Sequence, residues 1–335
     1  MEDLNLVKTI YFFGSLLTII FFFLFLERIK SLIGIYDKPE NFRKVHKSVV
    51  PPIGGVIFYV IFIIYFLFIL LSDFQSQFFT YNKQIITIII CSTFIFIFGL
   101  IDDKYNLGSL TKSLCFLFFI TIFLLNDIKS EIFYLKFESF DKTLALDRFS
   151  LFFTIFSIFA FMNALNMYDG INLQSGLYLI FLSIIFLSRS IDSIFFLINI
   201  ICLMFFTFYN YKNKIFMGNN GIYFLSFIFG IFFIKSNIYL SKISTEEILI
   251  LMAVPGIDML RLFFIRIING KSPFLGDNKH IHHLLLNKFK EKTALIVFSL
   301  TLFPYIFFNL FGLAFAVFLF QIFSYFLIIK LSKNR

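Results

Sequence analysis

The feature that most constrains this chain is the length of its apolar runs. They extend for about 15–22 residues without strand-like alternation, and about 20 residues of helix cross a bilayer core of roughly 30 Å. Eleven such segments can be placed, at 6–26, 53–72, 84–101, 111–126, 149–167, 173–188, 191–209, 221–236, 247–266, 294–310 and 313–331. The last two share one run, with Asn309 and Gly312 at the bend; read as a single span, the count is ten. The expected fold is therefore all-α, a polytopic membrane helix bundle of 10–11 transmembrane helices.

Composition agrees. The chain has 335 residues, of which 59% are hydrophobic and 15% charged, against about 25% charged in soluble domains. No polar stretch is long enough for a separate soluble domain, so 1–335 reads as a single transmembrane domain. Residues Thr9 to Leu26 resemble a signal peptide in length, but Glu27, Arg28 and Lys30 follow where a small-residue cleavage site would stand. The segment is read as the first membrane helix. Cys91, Cys115 and Cys202 all lie inside apolar runs without a CxxC or Cys/His cluster, which points to packing. The net charge of +9 fits basic loops on one membrane face better than a nucleic-acid partner.

Those basic residues set an orientation. With the N-terminus outside, the segments on the inner face carry 19 Lys and Arg and the opposite face nine, so the bias favours this topology. Every unusual polar cluster then falls on the inner face. The outer loop 126–148 contains none comparable. A site at the cytoplasmic membrane face is expected.

Five stretches carry the chemistry. In "DDKYNLGSLTK", Asp102 and Asp103 end an apolar run. Two adjacent carboxylates at a membrane edge need a cation, either a metal or a basic side chain such as Lys112; Mg²⁺ is the metal that suits hard oxygen ligands and phosphates. In "NALNMYDGIN", Asn163, Asn166 and Asp169 recur every three residues and fall on nearly one helix face. They suit a metal or a nucleotide, or an interhelical hydrogen-bond ladder. In "YNYKNKIFMGNNG", Gly218 and Gly221 flank Asn219 and Asn220 at the start of a span. Backbone amides there could face a phosphate or form a plain turn. "GKSPFLGDNKHIHH" holds His280, His282 and His283, three of the four histidines, beside Lys271, Lys279 and Asp277. "RKVHKSVVPPIGG" places Arg43, Lys44, His46 and Lys47 before the second span, as a phosphate site or a lipid anchor. Acidic and amide groups for a metal, with basic groups for phosphates, fit phosphoryl transfer to a lipid-soluble substrate.

The set resembles the polyprenyl-phosphate N-acetylhexosamine-1-phosphate transferases, membrane enzymes that start peptidoglycan, O-antigen, enterobacterial common antigen and teichoic-acid assembly. The motifs run from about residue 37 to 285 in the family's order. The HIHH form is closer to the N-acetylglucosamine-1-phosphate branch than to the muramoyl-pentapeptide branch. The resemblance implies transfer of a sugar-1-phosphate from a UDP-sugar to undecaprenyl phosphate, with release of UMP and use of Mg²⁺, or Mn²⁺ in its place. The setting it implies is a bacterial inner membrane, with a homodimer by family analogy. By motif, Asp102, Asp103 and Asp169 would be catalytic, and Asp103, Asp169 and Asn219 would hold the metal. Arg43, His46, Lys112, Asn163, Asn166, Asn172, Asn210, His280, His282 and His283 would bind substrate. Two departures stand out. "DGINLQ" has Asn172 where the family has an Asp, and "MGNNGI" has Asn219 where a metal-binding Asp is usual. An active enzyme with altered sugar or metal preference is expected ahead of a degenerate one. The rival class, a transporter, predicts polar residues at mid-bilayer and internal repeats. The spans show few charges beyond Asp258 and Arg261, and no repeat.

Overall fold

The structure is a computed structural model and describes residues 2–36, 49–72, 76–272 and 278–333. Among the described residues, ten helices are long and apolar enough to cross a membrane, and Gln174–Ser188 is an apolar helix of only 15 residues. The expected segment 173–188 is thus present as a helix, shorter than the other ten. The final apolar run is two helices, split at Gly312 with φ 66°.

The helices are α1 (Glu2–Leu24), α2 (Leu26–Ile33), α3 (Gly54–Leu71), α4 (Asn82–Tyr105), α5 (Ser109–Asn126), α6 (Ser150–Tyr168), α7 (Gln174–Ser188), α8 (Ser193–Tyr211), α9 (Gly218–Ile238), α10 (Thr245–Ile268), α11 (Ile281–Phe289), α12 (Thr293–Phe311) and α13 (Ala314–Lys333). The chain forms two compact units, residues 1–128 with 176–232, and residues 129–175 with 233–335.

In the first unit α3 packs against α1, α4 and α8. Its core is aromatic. Phe224 meets Tyr59 and Phe62 edge-on, and Phe232 meets Phe196 and Phe78 in the same way. Edge-to-face rings pack well beyond simple area burial, so phenylalanine fills this interior without tryptophan. At one end the backbones approach closely. The amides of Gly54 and Gly55 donate to the carbonyls of Phe216 and Met217. A Cβ on Gly55 would lie 2.3 Å from the Gly221 Cα. The glycines of "PPIGG" and "MGNNG" therefore let α3 and α9 touch main chain to main chain.

In the second unit α10 packs against α6, α12 and α13. Gln321, fully buried, donates through Nε2 to the Ile250 and Leu300 carbonyls and ties α13 to α10 and α12. The loop 126–148 contains an antiparallel hairpin, β1 (Tyr134–Phe137) with β2 (Lys142–Ala145). Four-residue strands are too short for a clear alternation, and the turn depends on Asp141 in the left-handed region at φ 48°.

Candidate functional site

In the first unit α4 ends at Tyr105 because Asn106 takes a left-handed conformation, φ 50°. The chain then folds back, and the Leu107 amide donates to Asp102 Oδ1 at 2.9 Å. Asp102 is 2% exposed at the negative end of its own helix, an unfavourable place for a carboxylate. Lys112 offsets it, with Nζ 2.8 Å from Oδ1. Asn219 Nδ2 donates to the other oxygen at 2.7 Å. A basic side chain thus neutralises Asp102.

Asp103 faces a helix of opposite polarity. Its Oδ1 accepts from the Asn219 amide at 2.8 Å, and its Oδ2 from the Asn220 amide at 3.0 Å and Asn220 Nδ2 at 2.6 Å. A carboxylate at a helix N-terminus satisfies orphan N–H groups and gains from the macrodipole. Gly218 makes this cap feasible. Its φ is +76°, and a Cβ there would meet the Pro52 carbonyl at 2.5 Å and Asp103 Oδ2 at 2.8 Å. The α9 amides that the sequence offered to a phosphate are occupied by Asp103.

A divalent cation fits this group poorly. Each of the four carboxylate oxygens already accepts an N–H from protein, and the third neighbour, Asn219, turns a donor toward Asp102. Among the described residues no three His, Cys, Asp or Glu side chains form a cation-binding group. Asn210, also in this unit, donates through Nδ2 to the Ile215 carbonyl and closes the turn after α8.

In the second unit α6 ends at Tyr168 and Asp169 is its C-cap residue. Asp169 Oδ1 accepts from the Ser175 hydroxyl. Burial pushes the Asp169 carboxyl up to about 6, against a lowering pull from Ser175. Asn163 donates to the Phe159 carbonyl of its own helix at 2.8 Å. Asn166 and Asn172 are half-buried nearby in sequence.

The histidine motif opens α11. His280 is the N-cap residue, and its Nδ1 lies 2.7 Å from Asp258 Oδ2. His282 is 1% exposed, and neither ring nitrogen has a hydrogen-bond partner among the described residues. Its ring lies parallel to that of His280, with centroids 5.5 Å apart, and 4.3 Å from that of His283. Gly170 gives it room, since a Cβ there would sit 2.0 Å from His282 Nε2. "NALNMYDG" and "HIHH" therefore meet in this unit through Gly170 and His282. Arg43, His46 and Asp277 lie outside the described residues.

Sequence reading passed over Asp258 and Arg261 as exceptions within a span. Ionisable residues inside a membrane segment are costly and mark sites by default. Their i, i+3 spacing was the signal that could have singled them out.

Residues 85–237 match the model of glycosyl transferase family 4. A Bacillus subtilis protein described as a probable undecaprenyl-phosphate N-acetylglucosaminyl 1-phosphate transferase is 29% identical over 85% of this chain and 79% of its own. An undecaprenyl-phosphate alpha-N-acetylglucosaminyl 1-phosphate transferase of Salmonella typhi is 28% identical over 85% and 78%, and one of Thermotoga maritima 27% over 83% and 81%. Over these residues the chain resembles that family. The likeness to sugar-1-phosphate transferases shows an enzyme of phosphotransfer. The matched residues contain Asp102 and Asp103, Asp169, and the Asn219–Asn220 cap.

Proposed function

We propose that this transferase moves an N-acetylhexosamine-1-phosphate, N-acetylglucosamine-1-phosphate by preference, from a UDP-sugar to undecaprenyl phosphate. UMP is released, and the product starts a lipid-linked cell-envelope glycan. The reaction takes place at the cytoplasmic face of a bacterial plasma membrane, with 1–335 acting as one catalytic domain. The observation that carries the reading is the likeness to relatives named for this transfer over 83–85% of the chain. The buried Asp102–Lys112 pair at the end of an apolar helix supports it.

The bond made joins an oxygen of the lipid phosphate to the β-phosphorus of the UDP-sugar; the bond broken is from that phosphorus to the bridging oxygen, which leaves with UMP. Such transfers depend mainly on positioning and on charge neutralisation. Lys112 supplies positive charge beside Asp102. Asp102 and Asp103 act on the lipid phosphate. Asn163, Asn166, Asp169 and Asn172 line the nucleotide, and Arg43, His46, His280, His282 and His283 engage its diphosphate. The family resemblance carries a requirement for Mg²⁺ or Mn²⁺. Among the described residues no group of three His, Cys, Asp or Glu side chains is preformed for either ion.

The test is a panel of radiolabelled UDP-sugars given to membranes that contain the protein and undecaprenyl phosphate. Lipid-extractable label and equimolar UMP are expected with UDP-N-acetylglucosamine, and Asp102→Asn should abolish both. Release of no UMP and no labelled lipid from any UDP-N-acetylhexosamine would overturn the reading.

A further inference from the structure

Asp258 lies mid-way along α10 and is 3% exposed. Four groups converge on its carboxylate. Oδ1 accepts from the Tyr325 hydroxyl at 2.5 Å, Arg261 Nη2 at 2.8 Å and the Ile281 amide at 3.1 Å. Oδ2 faces His280 Nδ1 at 2.7 Å. Arg261 is shared. Its Nη2 also reaches the Lys279 carbonyl at 2.7 Å, and its Nε donates to the Tyr325 hydroxyl at 2.7 Å. The carboxylate thus fixes the first histidine and the first amide of α11, and Arg261, its partner, fixes the residue before them. The parts come from α10, α13 and the α11 entry, all within the second unit.

This is more than fold stability requires. Burying an acid, an arginine and a tyrosine hydroxyl together is weak evidence for stability, since apolar packing of the same volume does as well or better. Capping α11 needs only a short polar side chain at its N-cap. What the arrangement does uniquely is choose a nitrogen. An ionised carboxylate only accepts, so the hydrogen must be on His280 Nδ1. Which ring nitrogen carries the proton is set by the bond the other one makes. His280 Nε2 is then the atom left to meet a ligand.

We propose that Asp258 is a positioning residue of this transferase: with Arg261 and Tyr325 it holds a hydrogen on His280 Nδ1 and aims Nε2 at the diphosphate of the sugar nucleotide, to which the doubly protonated ring donates through Nε2–H. His282, stacked parallel to His280, is held in register by the same clamp. The assignment of a ligand to Nε2 rests on the function proposed above; the pairing of Asp258 with His280 does not.

Two measurements on the full-length protein in nanodiscs keep these parts separate. The first is the ¹⁵N spectrum of the histidine side chains, with His280→Ala used for assignment. The wild type should show His280 protonated at Nδ1, and Asp258→Asn should convert it to a mixture of tautomers. Tyr325→Phe, which deletes one hydroxyl and keeps the carboxylate, should retain the Nδ1 form. A His280 already mixed in the wild type, or unchanged in Asp258→Asn, overturns the pairing, whether or not the protein turns over a UDP-sugar.

The second is steady-state transfer. Asp258→Asn should lower kcat roughly 10- to 100-fold, the range seen when the partner that orients a working histidine is lost, with KM changed less than about threefold. The double variant with His280→Ala should be no slower than His280→Ala alone, because residues acting as one unit are not additive. If the two losses multiply, or if Asp258→Asn stays within about twofold of wild type, the positioning role is wrong. If Asp258→Asn unfolds, Tyr325→Phe decides, with a kcat loss of about two- to fivefold expected and its absence counting against the clamp. If the wild type transfers nothing, the functional reading falls and the spectra alone judge the pairing.

Discussion

At position 219 a single atom type changes what the carboxylate pair needs. The Asn219 amide donates to Asp102 Oδ2. An aspartate there would replace a donor by a third negative oxygen at the same place. Asn219→Asp should therefore lower the thermal midpoint in EDTA, by the equivalent of about 1–3 kcal/mol for a lost bond to a charged group. Mg²⁺ should restore part of the loss, because a cation can bridge the new carboxylate to Asp102. Thermal unfolding of the purified protein with and without chelator checks this; an unchanged midpoint in EDTA would mean that the amide does not hold Asp102. Asp169 gives a second test at this scale. Its folded value of about 6 lies above the ordinary 3.8, so the fold favours the protonated acid. That stabilisation is complete below about 3.8 and is lost as pH rises through 6. Asp169→Asn should match wild type near pH 4 and exceed it above pH 6, by no more than roughly 3 kcal/mol at 1.36 kcal/mol per unit. Parallel melting curves across pH 4–8, in chelator, measure it. A wild-type advantage above pH 6 would reverse the assigned direction.

At the scale of elements, the contact of α3 with α9 depends on missing side chains. A Cβ on Gly221 would lie 2.7 Å from the Gly55 Cα and 2.8 Å from Met217. Backbone cannot give way as a rotamer can, so Gly221→Ala should cost about 1–3 kcal/mol or more through overpacking. Gly256, inside α10, has nothing within 4 Å of its Cβ position. Gly256→Ala should be neutral or stabilising by up to about 1 kcal/mol, since alanine is the better helix former. Melting both variants beside wild type separates helix propensity from contact. Equal effects would show that the α3–α9 approach is not tight. At this scale the sequence was informative about α4, α6 and α12, whose boundaries lie close to the expected segments. The hairpin and the α4 turn were harder to read. Both depend on non-glycine residues with positive φ, Asp141 and Asn106; Asn and Asp favour that conformation without requiring it, so their presence alone does not mark the turn.

At the scale of the whole molecule, helix α13 sets a depth for the second unit. Phe140 of the hairpin turn packs on Phe315 near its start. Lys288 of α11 donates to the Leu331 carbonyl near its end. Sixteen residues of helix separate these points by about 24 Å, most of a bilayer core. Cysteine at Thr143 and at Lys288 should thus react from opposite sides of the membrane. With the orientation given by the basic residues, an impermeant maleimide should label Thr143→Cys in intact cells, and Lys288→Cys only after permeabilisation. Labelling of both from one side would break the assigned topology.

The sequence by itself determined that the chain is a bundle of membrane helices, and it located the carboxylates, amides and histidines that carry the family's motifs. It could do so because a bilayer imposes a length on every apolar run, and because motif spacing is local. It also required a counter-charge for Asp102 and Asp103 without choosing between a metal and a side chain. Tertiary structure supplied the partners that the protein itself provides: Lys112 and Asn219 on Asp102, and the α9 amides on Asp103. It alone joined Asp258 to His280, 22 residues apart, and brought Tyr325 to them from the last helix. The physical reason is range. Apolar length is a property of one segment, whereas the neutralisation of a buried charge depends on which donor another helix brings within about 3 Å.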